Sequence, residues 1–170
     1  TAEVISLVGA TPVFVDIDSK TYNIDPQKLA IEVKRVSEAG NLIPKAIIPV
    51  DLFGLPADYS SIQTITNEYN LFVIEDAAQG FGGSINGKKS GSFGDVAATS
   101  FFPAKPLGGY GDGGAVFTNS NKLAEKLVSI RVHGKGENKY DNILIGLNGR
   151  LDTIQAAILL IKLKKLSFLN

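Results

Sequence analysis

The sequence predicts an α/β fold, a mostly parallel sheet with helices on both faces, and three observations predict it. Short runs such as Ala46 to Val50 and Leu71 to Glu75 are apolar almost throughout, as strands buried on both faces are. Stretches with helical spacing of apolar residues alternate with them. Polar clusters fall at the ends of the runs, where open α/β sheets bind their ligands.

Each element has its own signal. Ala2 to Val8 carries apolar residues at positions 4, 5, 7 and 8, a short helix closed by Gly9. Pro12 to Ile17 is β-rich and bounded by Asp18 and Ser19, which predicts a strand. Asp25-Pro26 supplies an N-cap and a first-turn proline for a helix to about Ser37. Ala46 to Val50 is the next strand, and Ala57-Asp58 leads into a helix from about Tyr59 to Tyr69. Strands follow at Leu71 to Glu75, Val96 to Phe102 and Gly114 to Thr118. The last two are joined without a helix, so one antiparallel pair is expected. Asn121 to Arg131 and Leu151 to Leu166 are helical, and polar residues 134–142 predict a mobile loop.

Composition narrows the function. The 170 residues suffice for one domain with a core. Lys+Arg and Asp+Glu number 17 each, so no basic surplus points to nucleic acid or to an anionic membrane. Cysteine is absent, which removes disulfides and thiolate metal sites and fits a cytoplasmic location. The longest apolar runs, such as Ala156 to Ile161, are too short to span a bilayer, and there is no signal peptide. Methionine is absent too, and the chain opens on Thr1 in mid-pattern, as a piece of a longer protein would.

Three polar features sit at strand ends: Glu75-Asp76-Ala77-Ala78-Gln79, Ser100-Phe101-Phe102-Pro103-Ala104-Lys105, and the glycine-dense run from Gly108 to Gly114. Lys105 follows an apolar strand and a proline, where desolvation lowers an amine's pKa and suits it to Schiff-base chemistry. By itself it reads more readily as a solvated surface lysine. Asp76 fits a carboxylate that keeps a cofactor's pyridine nitrogen protonated, and it fits an ordinary N-cap. Gln79 and Ser100 are ambiguous alone, since a strand-end serine commonly bonds local backbone. The glycine run lacks the Gly-Lys-Ser/Thr ending of a phosphate loop and precedes no long helix. A single histidine, His133, makes a His-based metal site improbable, and no Gly-x-Ser-x-Gly elbow exists. His133 is read as structural or as part of a substrate loop.

The sequence resembles the DegT/DnrJ/StrS aminotransferases, pyridoxal-phosphate (PLP) enzymes that aminate nucleotide-linked keto-sugars. The resemblance is carried by Gly9-Ala10-Thr11-Pro12-Val13-Phe14-Val15-Asp16, Tyr22-Asn23-Ile24-Asp25-Pro26 and Glu75-Asp76-Ala77-Ala78-Gln79. It continues through Ser100 to Gly108, Gly111 to Ala115, Arg131-Val132-His133-Gly134 and Gly146 to Asp152, in family order along nearly the whole chain.

The resemblance implies the central part of the large PLP-binding domain of a fold-type I aminotransferase. Residues 1–170 would form a partial domain, without the N-terminal segment and the C-terminal small domain. It assigns Lys105 to covalent attachment of the cofactor and to proton transfer, Asp76 to the pyridine nitrogen, and Gln79 to the ring and its 3-hydroxyl. Ser100 matches a phosphate ligand, and Asn148 a residue reaching the phosphate of a neighbouring subunit, hence a homodimer with shared sites. Arg150 is a substrate-carboxylate candidate. The implied reaction is ping-pong transfer from an amino donor, glutamate, to a keto-sugar. Two runs, Phe101 to Gly114 and Asn148 to Thr153, look most like members acting on UDP-linked 3-keto sugars, whose products feed O-antigen and other surface polysaccharides. A sugar dehydratase of the same fold and a non-catalytic fragment are the competing readings.

Overall fold

The computed structural model describes residues 1–138 and 140–166. Four strands form the sheet: β1 (Ala46–Ile47), β2 (Phe72–Asp76), β5 (Val96–Ser100) and β6 (Gly114–Phe117), in the order β1-β2-β5-β6. The first two pairings are parallel and the last antiparallel, as the missing helix between the last two runs requires. The helices are α1 (Ala2–Leu7), α2 (Pro26–Ala39), α3 (Tyr59–Tyr69), α4 (Asn121–Arg131) and α5 (Thr153–Leu163). None is long and apolar enough to cross a membrane among the described residues.

Local chemistry sets the helix ends. The Asp25 carboxylate accepts from the backbone N–H of Gln27 (2.8 Å) and Lys28 (3.2 Å), with Pro26 at the first helical position. Gly40 ends α2 in the left-handed region at φ 68°, which costs glycine nothing. Asp58 and Ser120 cap α3 and α4 in the same manner as Asp25, accepting from Ser61 (3.1 Å) and Leu123 (3.3 Å).

The register decides which residues share a face. Asp76 pairs with Ala98 and Ala98 with Val116, so these three point one way, while Glu75, Ala97 and Phe117 point the other. Leu29 and Val33 of α2 and Ile62 and Ile65 of α3 bury Ile47 and Val73. A second cluster joins Leu159 of α5 to Phe101 and Leu107 in the loop after β5. On the face of Asp76, α1 reaches the sheet through Thr1, and α4 stands across a groove of about 950 Å³ from Ala98 and Val116.

Two expectations are corrected. Residues 12–17 form no strand. Only Ile17 pairs, with Ile24, across the turn in which the Asp18 carboxylate accepts from Lys20 and Thr21 N–H, and among the described residues no strand lies alongside residues 12–16 to pair with them. Residues 134–142 form a loop, as expected, in which Lys135 bridges Asn142 and Gly136 N–H donates to Asp141 O at 2.6 Å; Lys139 lies outside the described residues. The last helix ends at Leu163 rather than Leu166. One element escaped the sequence reading altogether, a hairpin of β3 (Ser84–Ile85) and β4 (Lys88–Lys89). Its turn is Asn86-Gly87, both at positive φ, the strongest short-range hairpin signal there is.

Ile62 is fully buried at the centre of the larger cluster. Ile62→Ala should lower the unfolding free energy by about 2–5 kcal/mol. Urea denaturation measures this as a lower midpoint with an unchanged slope; a midpoint within error of wild type would mean that the cluster does not carry the fold.

Candidate active site

The polar features gather at the carboxyl ends of β2 and β5. These are neighbouring parallel strands, joined past their ends by Ala77 N–H to Ala98 O at 2.8 Å. Asp76 is half-buried at the last position of β2. Its Oδ2 accepts from the Thr1 hydroxyl at 2.7 Å and its Oδ1 from Ala78 N–H at 3.2 Å. The carboxylate is therefore oriented from both sides while staying accessible. Ser100, at the end of β5, lies on the same face as Asp76 and Ala98, and its Oγ accepts from Phe102 N–H at 3.2 Å.

Lys105 lies in the turn that follows, with its backbone N–H donating to Phe102 O at 2.9 Å. It is half-buried, between exposed Ala104 and buried Leu107. From the other side α5 fixes the glycine run: Gln155 Oε1 accepts from Tyr110 N–H at 2.8 Å, and the Lys162 amine donates to Gly108 O. Lys162 also lies 5.6 Å from the centroid of the Tyr110 ring. The loop that carries Lys105 is thus anchored in core by Phe101 and Leu107 and tied to a helix by two polar side chains.

Gln79 ends the turn after β2, and its Oε1 accepts from Phe53 N–H at 3.1 Å. Phe53 belongs to a short turn (Leu52–Gly54) held by buried Asn23, which donates to Leu55 O and accepts from Leu52 N–H, both at 2.9 Å. Asn148 and Arg150 stand apart. Both are exposed, Arg150 Nε donates to Asn148 Oδ1 at 2.9 Å, and Asn148 bridges Val132. His133 lines a shallow pocket with residues 142–146 rather than joining the strand-end group.

Behind Asp76 is a buried polar cluster that the sequence reading did not single out. Asp51 and Glu75 are both fully buried, and Ser90 bonds to each. Asp51 Oδ1 accepts from Ala57 N–H at 3.1 Å and the Tyr59 hydroxyl at 2.7 Å. Burial pushes the Asp51 carboxyl up to about 6, against the hydrogen bonds of Ser90, Tyr59 and Ala57, which pull it down. Burial also drives the Tyr59 hydroxyl far up, helped by the charge of Asp51. An available signal was an acid at the end of an apolar run, Asp51 after Ala46 to Val50, matching Glu75-Asp76 after Leu71. Thr1 was missed as well, because its partner lies 75 residues away.

An oriented carboxylate and a serine hydroxyl at the carboxyl ends of adjacent parallel strands, with a half-buried lysine in the turn that follows one of them, define an α/β domain whose polar side chains gather where such sheets bind ligands. The chain belongs to the DegT/DnrJ/EryC1/StrS aminotransferase family, which it matches over residues 1–170. It is 52% identical over 164 residues to a UDP-2-acetamido-2-deoxy-3-oxo-D-glucuronate aminotransferase of Pseudomonas aeruginosa, a match covering 96% of this chain and 44% of that protein. The solved structure of a DegT/DnrJ/EryC1/StrS aminotransferase from Brucella abortus superposes with a TM-score of 0.97 at 57% identity, over 99% of this chain and 45% of that one. NtdA of Bacillus subtilis, solved with bound cofactor PMP, superposes with a TM-score of 0.83 at 36% identity, over 98% of this chain and 36% of that one. The chain therefore spans less than half the length of these relatives.

Gly80 is the tightest point of the turn after β2: a Cβ there would sit 2.5 Å from Asp51 Cβ and collide with Ser90 Oγ. Gly80→Ala should cost about 1–3 kcal/mol through overpacking. Thermal unfolding followed by circular dichroism reads it as a lower Tm; an unchanged Tm would mean that the turn is not held against Asp51.

Proposed function

We propose that the protein is the cofactor-bearing part of a PLP-dependent aminotransferase that moves an amino group from glutamate to a nucleotide-linked keto-sugar. The observation that carries this reading is the placement of the Lys105 loop and Asp76 at the ends of adjacent parallel strands. Sequence similarity to a UDP-3-oxo-glucuronate aminotransferase supports a UDP-linked 3-keto sugar as the acceptor. Because the relatives are more than twice as long, we take residues 1–170 as a partial large domain. A segment before it and a small domain after it would complete the site.

The donor set fits the cofactor. When bound, PLP supplies a ring that withdraws electrons from the carbon carrying the amino group, so that carbon can lose its proton. Asp76 offers an ionised acceptor to the protonated ring nitrogen, and Thr1 and Ala78 keep that carboxylate from turning away. Lys105 Nζ would hold the cofactor, and as a free amine it would be the base that moves the proton. One amine serves both halves of a ping-pong exchange, so no second base is needed.

Ser100 donates to the phosphate in this reading, its hydroxyl lying on the same face as Asp76. Gln79 stands beside the ring, its position fixed by Phe53 N–H. Asn148, exposed and steadied by Arg150, reaches the phosphate of a neighbouring subunit, which makes the working unit a homodimer. Arg150 presents a planar fork suited to a substrate carboxylate of the glucuronate kind. The product would feed O-antigen or another surface polysaccharide, and the enzyme would work in the cytoplasm.

Borohydride reduction in the presence of PLP tests the assignment. The account expects one covalent adduct, found by peptide mass spectrometry on Lys105 and absent from Lys105→Ala. Glutamate added before reduction should prevent the adduct and release one equivalent of 2-oxoglutarate. An adduct elsewhere, or none, would overturn the assignment of Lys105. An adduct on Lys105 that glutamate leaves untouched would favour a dehydratase.

A further inference from the structure

The buried acids behind Asp76 have no part in the chemistry above, and their geometry poses a counting problem. Glu75 Oε2 accepts from Phe93 N–H (2.7 Å) and Gly94 N–H (3.2 Å), and Oε1 from Gly91 N–H. These backbone donors have no alternative orientation, so Glu75 is built to be an anion. The Ser90 hydroxyl lies 3.3 Å from Glu75 Oε1 and in a short hydrogen bond with Asp51 Oδ2. It owns one proton and touches two carboxyl oxygens. If both acids were ionised, one of those contacts would set lone pairs against lone pairs inside the protein. A proton on Asp51 Oδ2 removes the conflict: Asp51 donates to Ser90, and Ser90 donates to Glu75.

The surroundings favour that proton. Asp51 and Glu75 are both fully buried, and neither forms an ion pair with lysine or arginine among the described residues. The titratable groups near Asp51 are Tyr59 of α3, and Glu75 and Asp76 of β2, so the neighbours add negative charge rather than offset it. Lys88 and Lys89 of the hairpin are exposed and engaged elsewhere, over the Phe93 ring and on Gly82 O. Phe93 stacks on Tyr59 with centroids 4.5 Å apart and the rings nearly parallel.

The same three residues touch the turn that carries Asp76 and Gln79. Asp51 N–H donates to Asp76 O at 3.0 Å, and Asp76 N–H donates to Pro49 O at 2.9 Å. Gly80 is pressed against Asp51 and Ser90. Phe53, two residues past Asp51, supplies the bond to Gln79. We propose that Asp51, Ser90 and Glu75 form one hydrogen-bonded chain carrying a shared proton, with Asp51 its acid end and Glu75 its anionic end, and that this chain positions the Asp76–Gly80 turn. Asp51 is a positioning residue here: it acts through the turn and touches no ligand. Loss of the proton puts a second buried negative charge behind β2 and loosens the contact through Ser90. This holds whether or not the site takes PLP.

Carbon-detected NMR on protein labelled at aspartate Cγ and glutamate Cδ tests it without cofactor and without a variant. The Asp51 Cγ signal, assigned by through-bond correlation, should titrate near 6, well above the ordinary aspartate value of about 3.9. The amides of Ala77 to Gly80 should shift with the Asp51 midpoint. Ser90→Ala should move the Asp51 midpoint. Asp51→Asn, whose amide still donates to Ser90, should fold and leave the turn amides insensitive to pH. An Asp51 midpoint at or below the ordinary value would overturn the shared proton. Turn amides that ignore the Asp51 midpoint would overturn the positioning role.

Discussion

The structure depends on a single consequence of strand geometry: Glu75 and Asp76 are neighbours in sequence and point to opposite faces of the sheet. β2 is parallel-paired on both sides, so its end is rigid and the alternation is enforced. Glu75 turns toward the face that α2 and α3 cover, where the backbone of Gly91, Phe93 and Gly94 receives it. Asp76 turns toward the face of Ala98, Ser100 and Thr1. One carboxylate is spent on the fold and the other is left on the open face. A slip of one residue in the register of β2 would turn Glu75 to the open face and Asp76, one methylene shorter, to the buried one.

Everything else in the site is arranged around that crest. The segment from Pro49 to Phe53 runs beside it, trading backbone bonds with Asp76 and a side-chain bond with Gln79. Ser90 comes from the loop after the small hairpin, so residues distant in sequence meet behind the turn. On the other flank, Phe101 and Leu107 anchor the loop of Lys105 in apolar core, and Gln155 and Lys162 hold its glycine-rich continuation. The amine and the carboxylate are positioned by separate supports that share one sheet. Preorganisation of that sort lets a site hold charge without rearranging during reaction.

Much of this was legible in the sequence, for identifiable reasons. Helix α3 begins and ends where the Asp58 cap and the apolar spacing put it, and α2 starts at Asp25-Pro26 as those residues demand. Asp76, Lys105 and Ser100 could be named because each stands at the end of a strand-like run. What escaped depended on contacts between distant segments. The Thr1–Asp76 bond and the Ser90 bridge span 75 and 39 residues, and nothing local in Thr1 or Ser90 announces a partner. Residues 12–17 have strand composition but gain no sheet partner, since composition reports a preference and pairing needs a neighbour. The Asn86-Gly87 turn is a different case: its signal was present, and the two flanking pairs were too short to draw notice.

The central claim is that the fold leaves Asp76 ionised, oriented and free to face a protonated ring nitrogen. The most direct measurement is the nitrogen chemical shift of PLP, labelled with nitrogen-15 in the pyridine ring, after its addition to the protein. The account predicts a pyridinium shift that reverts toward neutral pyridine in Asp76→Asn. A neutral pyridine shift in the unaltered protein, or a pyridinium shift that survives Asp76→Asn, would contradict it.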